Sequence, residues 1–253
     1  HVNIFMSATV NFNEFCFSTG YDRNDVHFIK MESDFPVESA PIINMFHDIS
    51  DDPKDKSINY ANLSIMLPKM TKGIQEISTE FPNQKILIHT HSGRIDDYIK
   101  ENLNIFPRDV IFASDHKDRN EALIEFNKSD NAILLSYSMY EGVDFPDDKC
   151  RIVIFLKVPY ISMYDPYVKA RSNYTNIKMG PNRYYAWLTV LRIIQGSSRH
   201  IRNKDDFGLT IFLDNPMNIL TYEKDLFPER VIQRFESKQG NVLKLIEKMR
   251  SKQ

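Results

Sequence analysis

Four short apolar runs, at residues 85–90, 131–136, 151–156 and 208–213, limit this chain's fold more than any other feature. Ile86-Leu87-Ile88, Ile133-Leu134-Leu135, Ile152-Val153-Ile154-Phe155 and Leu209-Thr210-Ile211-Phe212 are apolar at successive rather than alternate positions. Neighbouring side chains of a strand point to opposite faces, so strands of this kind need cover on both. That is the condition of a parallel sheet held between two helical layers. Helical spacing fills the gaps at 92–103, 118–126 and 181–200, where Pro181 suits a first turn. Residues 59–81 also read as a helix, which Pro68 is expected to break or restart, and a last helix is predicted at 237–249. Strand alternating with helix predicts an α/β fold, a mostly parallel sheet with helices on both faces. The stretch 35–53, with Pro36, Pro41, Pro53 and several acids, reads as a linker after a short N-terminal piece.

At 253 residues, 42% hydrophobic and 26% charged, the chain has the material for a large core and does not have a disordered composition. Cys16 and Cys150 are its only cysteines. They suit a reducing compartment and are too few and too far apart for a zinc or iron–sulfur site, so no metal site is expected. No apolar run approaches a membrane span, and His1-Val2-Asn3-Ile4 lacks a basic head. The expectation is a monomeric intracellular protein with no membrane contact.

Charge is distributed unevenly. Residues 149–204 hold eleven of the 32 Lys and Arg but only one, Asp165, of the 34 Asp and Glu. Tyr160, Tyr164, Tyr167, Tyr174, Tyr184, Tyr185 and Trp187 are interleaved with these cations. Aromatic rings among cations are what a single-stranded nucleic-acid groove uses to stack bases and neutralise phosphates. The same block also fits an ordinary solvated face.

In a doubly wound sheet, ligands gather at the carboxyl ends of the strands. Those ends are His91-Ser92-Gly93-Arg94, then the stretch from Tyr137 to Asp144, then Lys157-Val158-Pro159-Tyr160. Glu141-Gly142-Val143-Asp144 sets two carboxylates around a glycine, where a ligand and the backbone could come close, or where a turn simply carries two solvated acids. On the helix from Pro181, the residues Arg192, Gln195, Arg199 and Arg202 follow at intervals of three, four and three and are predicted to form one stripe. Val190, Leu191 and Ile194 would face the core. Paired guanidinium groups match a phosphate, whether of a nucleotide or of a nucleic-acid backbone. Gly196-Ser197-Ser198, inside the stripe, would let another surface approach closely.

Taken in order, Ser7-Ala8-Thr9, Glu32-Ser33-Asp34-Phe35-Pro36, Glu141-Gly142-Val143-Asp144-Phe145-Pro146, Asp165-Pro166-Tyr167 with Lys169-Ala170-Arg171, and Gln195-Gly196-Ser197-Ser198-Arg199-His200-Ile201-Arg202 resemble the second half of the XPD/DinG family of superfamily 2 DNA helicases. The resemblance implies a RecA-like fold and two domains that sandwich ATP. It implies a C-terminal remnant of the first RecA-like domain plus linker at 1–40 and the second RecA-like domain at 41–253. Ser7 and Thr9 would couple nucleotide to DNA. Glu141, Gly142 and Asp144 would lie at the nucleotide, Arg199 and Arg202 would be the catalytic arginine fingers, and Gln195, counted with them as catalytic, would join Glu141 in holding the two segments together near the nucleotide. Single-stranded DNA would run along Lys157, Lys169 and Arg171, with Arg94, Lys117 and Tyr140 as further contacts.

Ser198 stands where the family usually has glycine, and the chain contains no Gly-Lys and no Asp-Glu dipeptide. The phosphate-cradling loop and magnesium carboxylates of such a motor are therefore expected on the missing N-terminal RecA-like domain. ATP and Mg2+ would serve the complete protein, translocating 5′ to 3′, with none bound and no hydrolysis by this chain alone. The alternatives from other classes are a non-catalytic nucleic-acid-binding module with a RecA-like fold, or an arginine face for a protein partner.

Overall fold

A computed structural model describes residues 2–251 apart from 8, 32–34, 51–55, 140–144, 146–148, 180, 181 and 202, with the backbone alone at 176–179. In chain order its elements are α1 (Phe12–Thr19), β1 (Ile42–Asn44), α2 (Phe46–Ile49), α3 (Leu63–Glu80), β2 (Ile86–His89), α4 (Gly93–Asn102) and β3 (Val110–Phe112). There follow α5 (Arg119–Lys128), β4 (Ile133–Ser136), β5 (Ile152–Phe155), α6 (Pro166–Met179), α7 (Arg183–Ser197), β6 (Leu209–Phe212), α8 (Met217–Tyr222), α9 (Glu229–Phe235) and α10 (Gln239–Ser251).

The six strands form one sheet in the order β1-β6-β5-β2-β4-β3, and every pairing is parallel. The fold class is the expected one, with the sheet wholly rather than mostly parallel among the described residues. Side-chain alternation sends the apolar runs to two cores. Leu87, Leu134, Val153, Phe155 and Phe212 face α5, α7, α8 and α9, while Ile86, Ile88, Ile133, Leu135, Ile152, Ile154 and Ile211 face α2, α3, α4 and α10. The order of winding reverses between β2 and β5, so the crevice of a doubly wound sheet lies at their carboxyl ends.

Three local expectations are corrected. Residues 35–53 are not a linker throughout: Ile42–Asn44 pair with β6, and Phe46 in α2 is fully buried. A three-residue edge strand behind Pro41 is too short to show a period. Pro68 does not break α3, which runs unbroken from Leu63 to Glu80. An interior proline costs a helix about 3 kcal/mol. Leu63, Met66, Leu67, Met70, Ile74 and Ile77 are all buried on one side of α3, and at about 1.5–3 kcal/mol each they outweigh it. Finally, α7 ends at Ser197, short of the predicted 200. Helix α6, which the periodicity did not reveal, begins where the Asp165 carboxylate accepts from the backbone N–H of Tyr167 (2.8 Å) and Val168 (3.1 Å).

Candidate nucleotide and nucleic-acid site

Strand register sets four last residues side by side at the carboxyl edge: Phe212, Phe155, His89 and Ser136. The Phe155 and Phe212 rings stack at 4.5 Å, and His89 lies 4.8 Å from Phe155. Burial first, and then the Arg199 charge, push the His89 imidazole down to about 3, so it is neutral at physiological pH.

Helix α7 crosses this row at Gly196. A Cβ there would stand 2.6 Å from Phe155 Cζ and 3.3 Å from His89 Nε2, so the helix reaches the sheet only because the residue is glycine. Gly196 thus serves the approach of the helix to its own sheet. Past Ser197 the chain leaves the helix, which corrects the predicted stripe. Arg192 and Gln195 sit half-buried on α7, whereas Arg199 lies beyond its end, 7% exposed, its carbonyl accepting from the Phe145 N–H at 3.2 Å. Arg202 lies outside the described residues.

One residue that sequence reasoning missed holds this junction. Arg234 of α9, itself buried, donates through Nη2 to the Ser197 carbonyl (2.7 Å) and through Nη1 to Ser198 Oγ (3.2 Å), and through Nε to the Ala40 carbonyl. With Thr210 Oγ1 (3.3 Å), it satisfies a carbonyl that has no intrahelical donor, and it sets a cation at the negative pole of α7. Burial pulls its pKa down to about 10, which still leaves it charged. Nothing in a lone arginine 36 residues downstream of Ser198 signals that contact.

A second group forms where β2 and β5 end. His91 has a left-handed backbone (φ 72°), and Ser92 is the N-cap of α4, so the positive end of that helix opens here. Lys157 follows β5. Arg192 reaches over from α7 and donates to the Pro159 carbonyl at 3.5 Å. Burial, then the charges of Lys157 and Arg192, push His91 down to about 4. Burial also lowers the Lys157 pKa, against the opposing charge of Asp214. The buried Asp214 accepts from the N–H groups of Ile58 (2.6 Å), Val158 (2.8 Å) and Asn215 (2.8 Å), and burial raises its pKa in spite of those bonds. The Tyr160 and Tyr185 rings stack at 5.3 Å and 7°, with the Lys157 ammonium 5.8 Å from the Tyr160 ring. The result is an electropositive, aromatic corner at the topological switch point.

Of the other predicted residues, Arg94 is exposed at the start of α4, its guanidinium 5.6 Å from the Tyr60 ring, and Lys169 is exposed on α6. Lys117 is exposed at the β3 edge, with β4 and β2 between its strand and β5. Arg171 is turned to the N-terminal segment, donating to the Ser18 carbonyl (3.3 Å) and lying over Phe17. The same segment is held by Arg183, which meets the buried Glu14 at 2.7 Å and Asp225 at 2.7 Å. Just before α1, Ser7 Oγ accepts from the Thr9 N–H at 3.2 Å. Tyr140, Glu141, Gly142 and Asp144 lie outside the described residues, as do Ala8 and Glu32 to Asp34. Among the described residues, no cluster of three or more His, Cys, Asp or Glu could hold a metal ion.

The family model described as the helicase C-terminal domain matches residues 74–243, more than half of the chain. The chain belongs to that helicase family. It is 27% identical over 247 residues to the 3'-5' exonuclease DinG of Staphylococcus aureus (strain USA300), covering 94% of this chain and 26% of that protein. The DinG of Staphylococcus epidermidis is 26% identical over 245 residues, with the same coverage. The helicase domain thus spans about a quarter of the length of these relatives. A solved XPD helicase superposes with a TM-score of 0.57 at 15% identity, over 78% of this chain and 34% of its own. An apo XPD gives 0.54 at 16% identity, over 74% and 38%. The chain therefore carries the helicase C-terminal domain, is similar in sequence to part of DinG, and shares its fold with the solved XPD structures.

Proposed function

We propose that this helicase domain is the second motor domain of an ATP-dependent DNA helicase, moving 5′ to 3′ along a single strand. What supports it most is the family match spanning a RecA-like sheet whose arginine-bearing segment leaves α7 beside the carboxyl-edge row. In this reading, Arg199 and Arg202 stabilise charge that develops on the terminal phosphate, and Gln195 and Glu141 hold their two segments together near it. Glu141, Gly142 and Asp144 border the nucleotide, and Ser7 and Thr9 couple it to DNA. Residues 1–40 complete the first RecA-like domain and lead into the second, whose sheet begins with β1 at Ile42. Magnesium and the phosphate cradle come from the rest of the first domain.

Single-stranded DNA then crosses the corner of Lys157, Arg192 and the positive end of α4, and continues along Lys169, with Arg94, Lys117, Tyr140 and Arg171 as outer contacts. The domain has no turnover by itself, because arginine fingers stabilise a phosphate that other residues must position. A second reading, a binding module without turnover, draws on the burial of Arg199 and the engagement of Ser198 by Arg234.

ATPase measurements on a protein carrying both RecA-like domains decide between the two. In the first reading, Arg199→Ala lowers kcat by about 10³-fold or more, with a much smaller loss of nucleotide affinity. Turnover intact with DNA binding lost would assign Arg199 to the DNA backbone. Turnover by this domain alone at about 1 per second or more would refute the division of labour.

A further inference from the structure

A cavity of about 410 Å³ opens between the β5–α6 loop, the first turns of α7 and the outer face of α8. Its walls include the Tyr160 and Tyr185 stacked pair, Met163, Tyr222, Asn182 and Asn218. No residue assigned above to the nucleotide lines it. We propose that this cavity takes one unstacked base of a nucleic-acid single strand whose phosphates lie on the Lys157 corner. The proposal rests on the reading of this edge as a single-strand track and adds to it a base subsite.

Three observations carry the assignment. First, the walls are aromatic and open: Tyr222 is 82% exposed and Met163 41%, beside two tyrosine rings stacked within 7° of parallel. Flat apolar surface of this kind stacks any base, because every base has a π-face. Second, the polar groups are amides. Asn182 and Asn218 carry carboxamides, a chemistry that suits a base edge without fixing its identity, and the Asn218 Nδ2 also donates to the Lys56 carbonyl at 3.4 Å. Third, the charge is right for a strand. Lys157 stands over the Tyr160 ring, so a phosphate at the cation and a base at the ring belong to one nucleotide step. The one acidic wall residue, Glu223, is paired with Arg183 at 3.4 Å, which offsets its repulsion of the backbone.

The test compares oligo(dT) with an abasic strand of equal length by fluorescence anisotropy, using the purified chain and its Tyr222→Ala and Tyr222→Phe variants. Tyr222 is exposed, so its truncation leaves the fold intact. The expected result is that Tyr222→Ala weakens oligo(dT) about 5- to 150-fold, the range for one stacked base. Tyr222→Phe should restore the affinity, and the abasic strand should bind all three proteins alike. Strands carrying 5-iodouracil should photo-crosslink to Tyr160, Tyr185 or Tyr222. Equal effects of Tyr222→Ala on both strands, or crosslinks confined to other elements, overturn the base subsite while the single-strand track stands. Failure of both strands to bind the unmodified chain overturns the track and the subsite together.

Discussion

Gly196→Ala tests how closely α7 is laid on the sheet. The added methyl would stand 2.6 Å from Phe155 Cζ and 3.2 Å from Phe155 Cε1. Phe155 cannot swing aside, because it is fully buried and stacked on Phe212 at 4.5 Å and 3°. Alanine in a helix interior gains about 0.5–1 kcal/mol over glycine, while overpacking a tight core costs about 1–3 kcal/mol. The clash wins, with a net loss of about 1–2 kcal/mol, or about 2–8 °C in Tm for a chain of this size. Gly73→Ala in α3 is the internal control. Its methyl would meet Leu213 Cδ1 at 3.3 Å, the end of a flexible side chain, so helix propensity wins and the variant is neutral or slightly stabilised. Urea denaturation of both variants reads the difference in midpoint at constant slope. If Gly196→Ala proved as stable as Gly73→Ala, the close approach of α7 would not be what constrains position 196.

Acid should destabilise the fold through its neutral histidines. His89 titrates near 3 and His91 near 4 when folded but near 6.5 when unfolded, so their stabilisation is complete above 6.5 and falls as pH drops toward those values. Each contributes a slope of about 1.4 kcal/mol per pH unit, and His89→Asn should flatten the stability profile between pH 6 and 4 by about that much. Removing Arg183 leaves the buried Glu14 carboxylate without its guanidinium, a loss of about 3–5 kcal/mol that should fall on the docking of α1; limited proteolysis of Arg183→Met should cut near residues 12–19 well before the unmodified chain. Single-strand affinity should fall with salt at a log–log slope of about −2 to −3, for three or four neutralised phosphates. Charge reversal at Lys169 should make that slope shallower, and an affinity indifferent to both salt and reversal would remove the electrostatic basis of the track.

The sheet was legible in the sequence because its strands are buried on both faces: unbroken Ile-Leu-Val runs admit few other environments, and they appear as β2, β4, β5 and β6. Carboxyl-edge positions such as His91 and Lys157 followed from them directly. The short edge strands β1 and β3 were not legible, since three residues carry no period, and β1 in addition pairs with β6 at the far end of the chain. Nor did local propensity report the weight of a distant core on Pro68, where a buried face of α3 outweighs the proline. At the arginine segment, spacing placed four polar residues on one helix. The helix actually stops at Ser197, where Arg234 and Thr210 both donate to the Ser197 carbonyl. The buried state of Arg199 and the neutral state of His89 arise the same way, from groups far apart in the chain that only packing brings together. Composition fixes how many such groups there are, and the fold sets which of them meet.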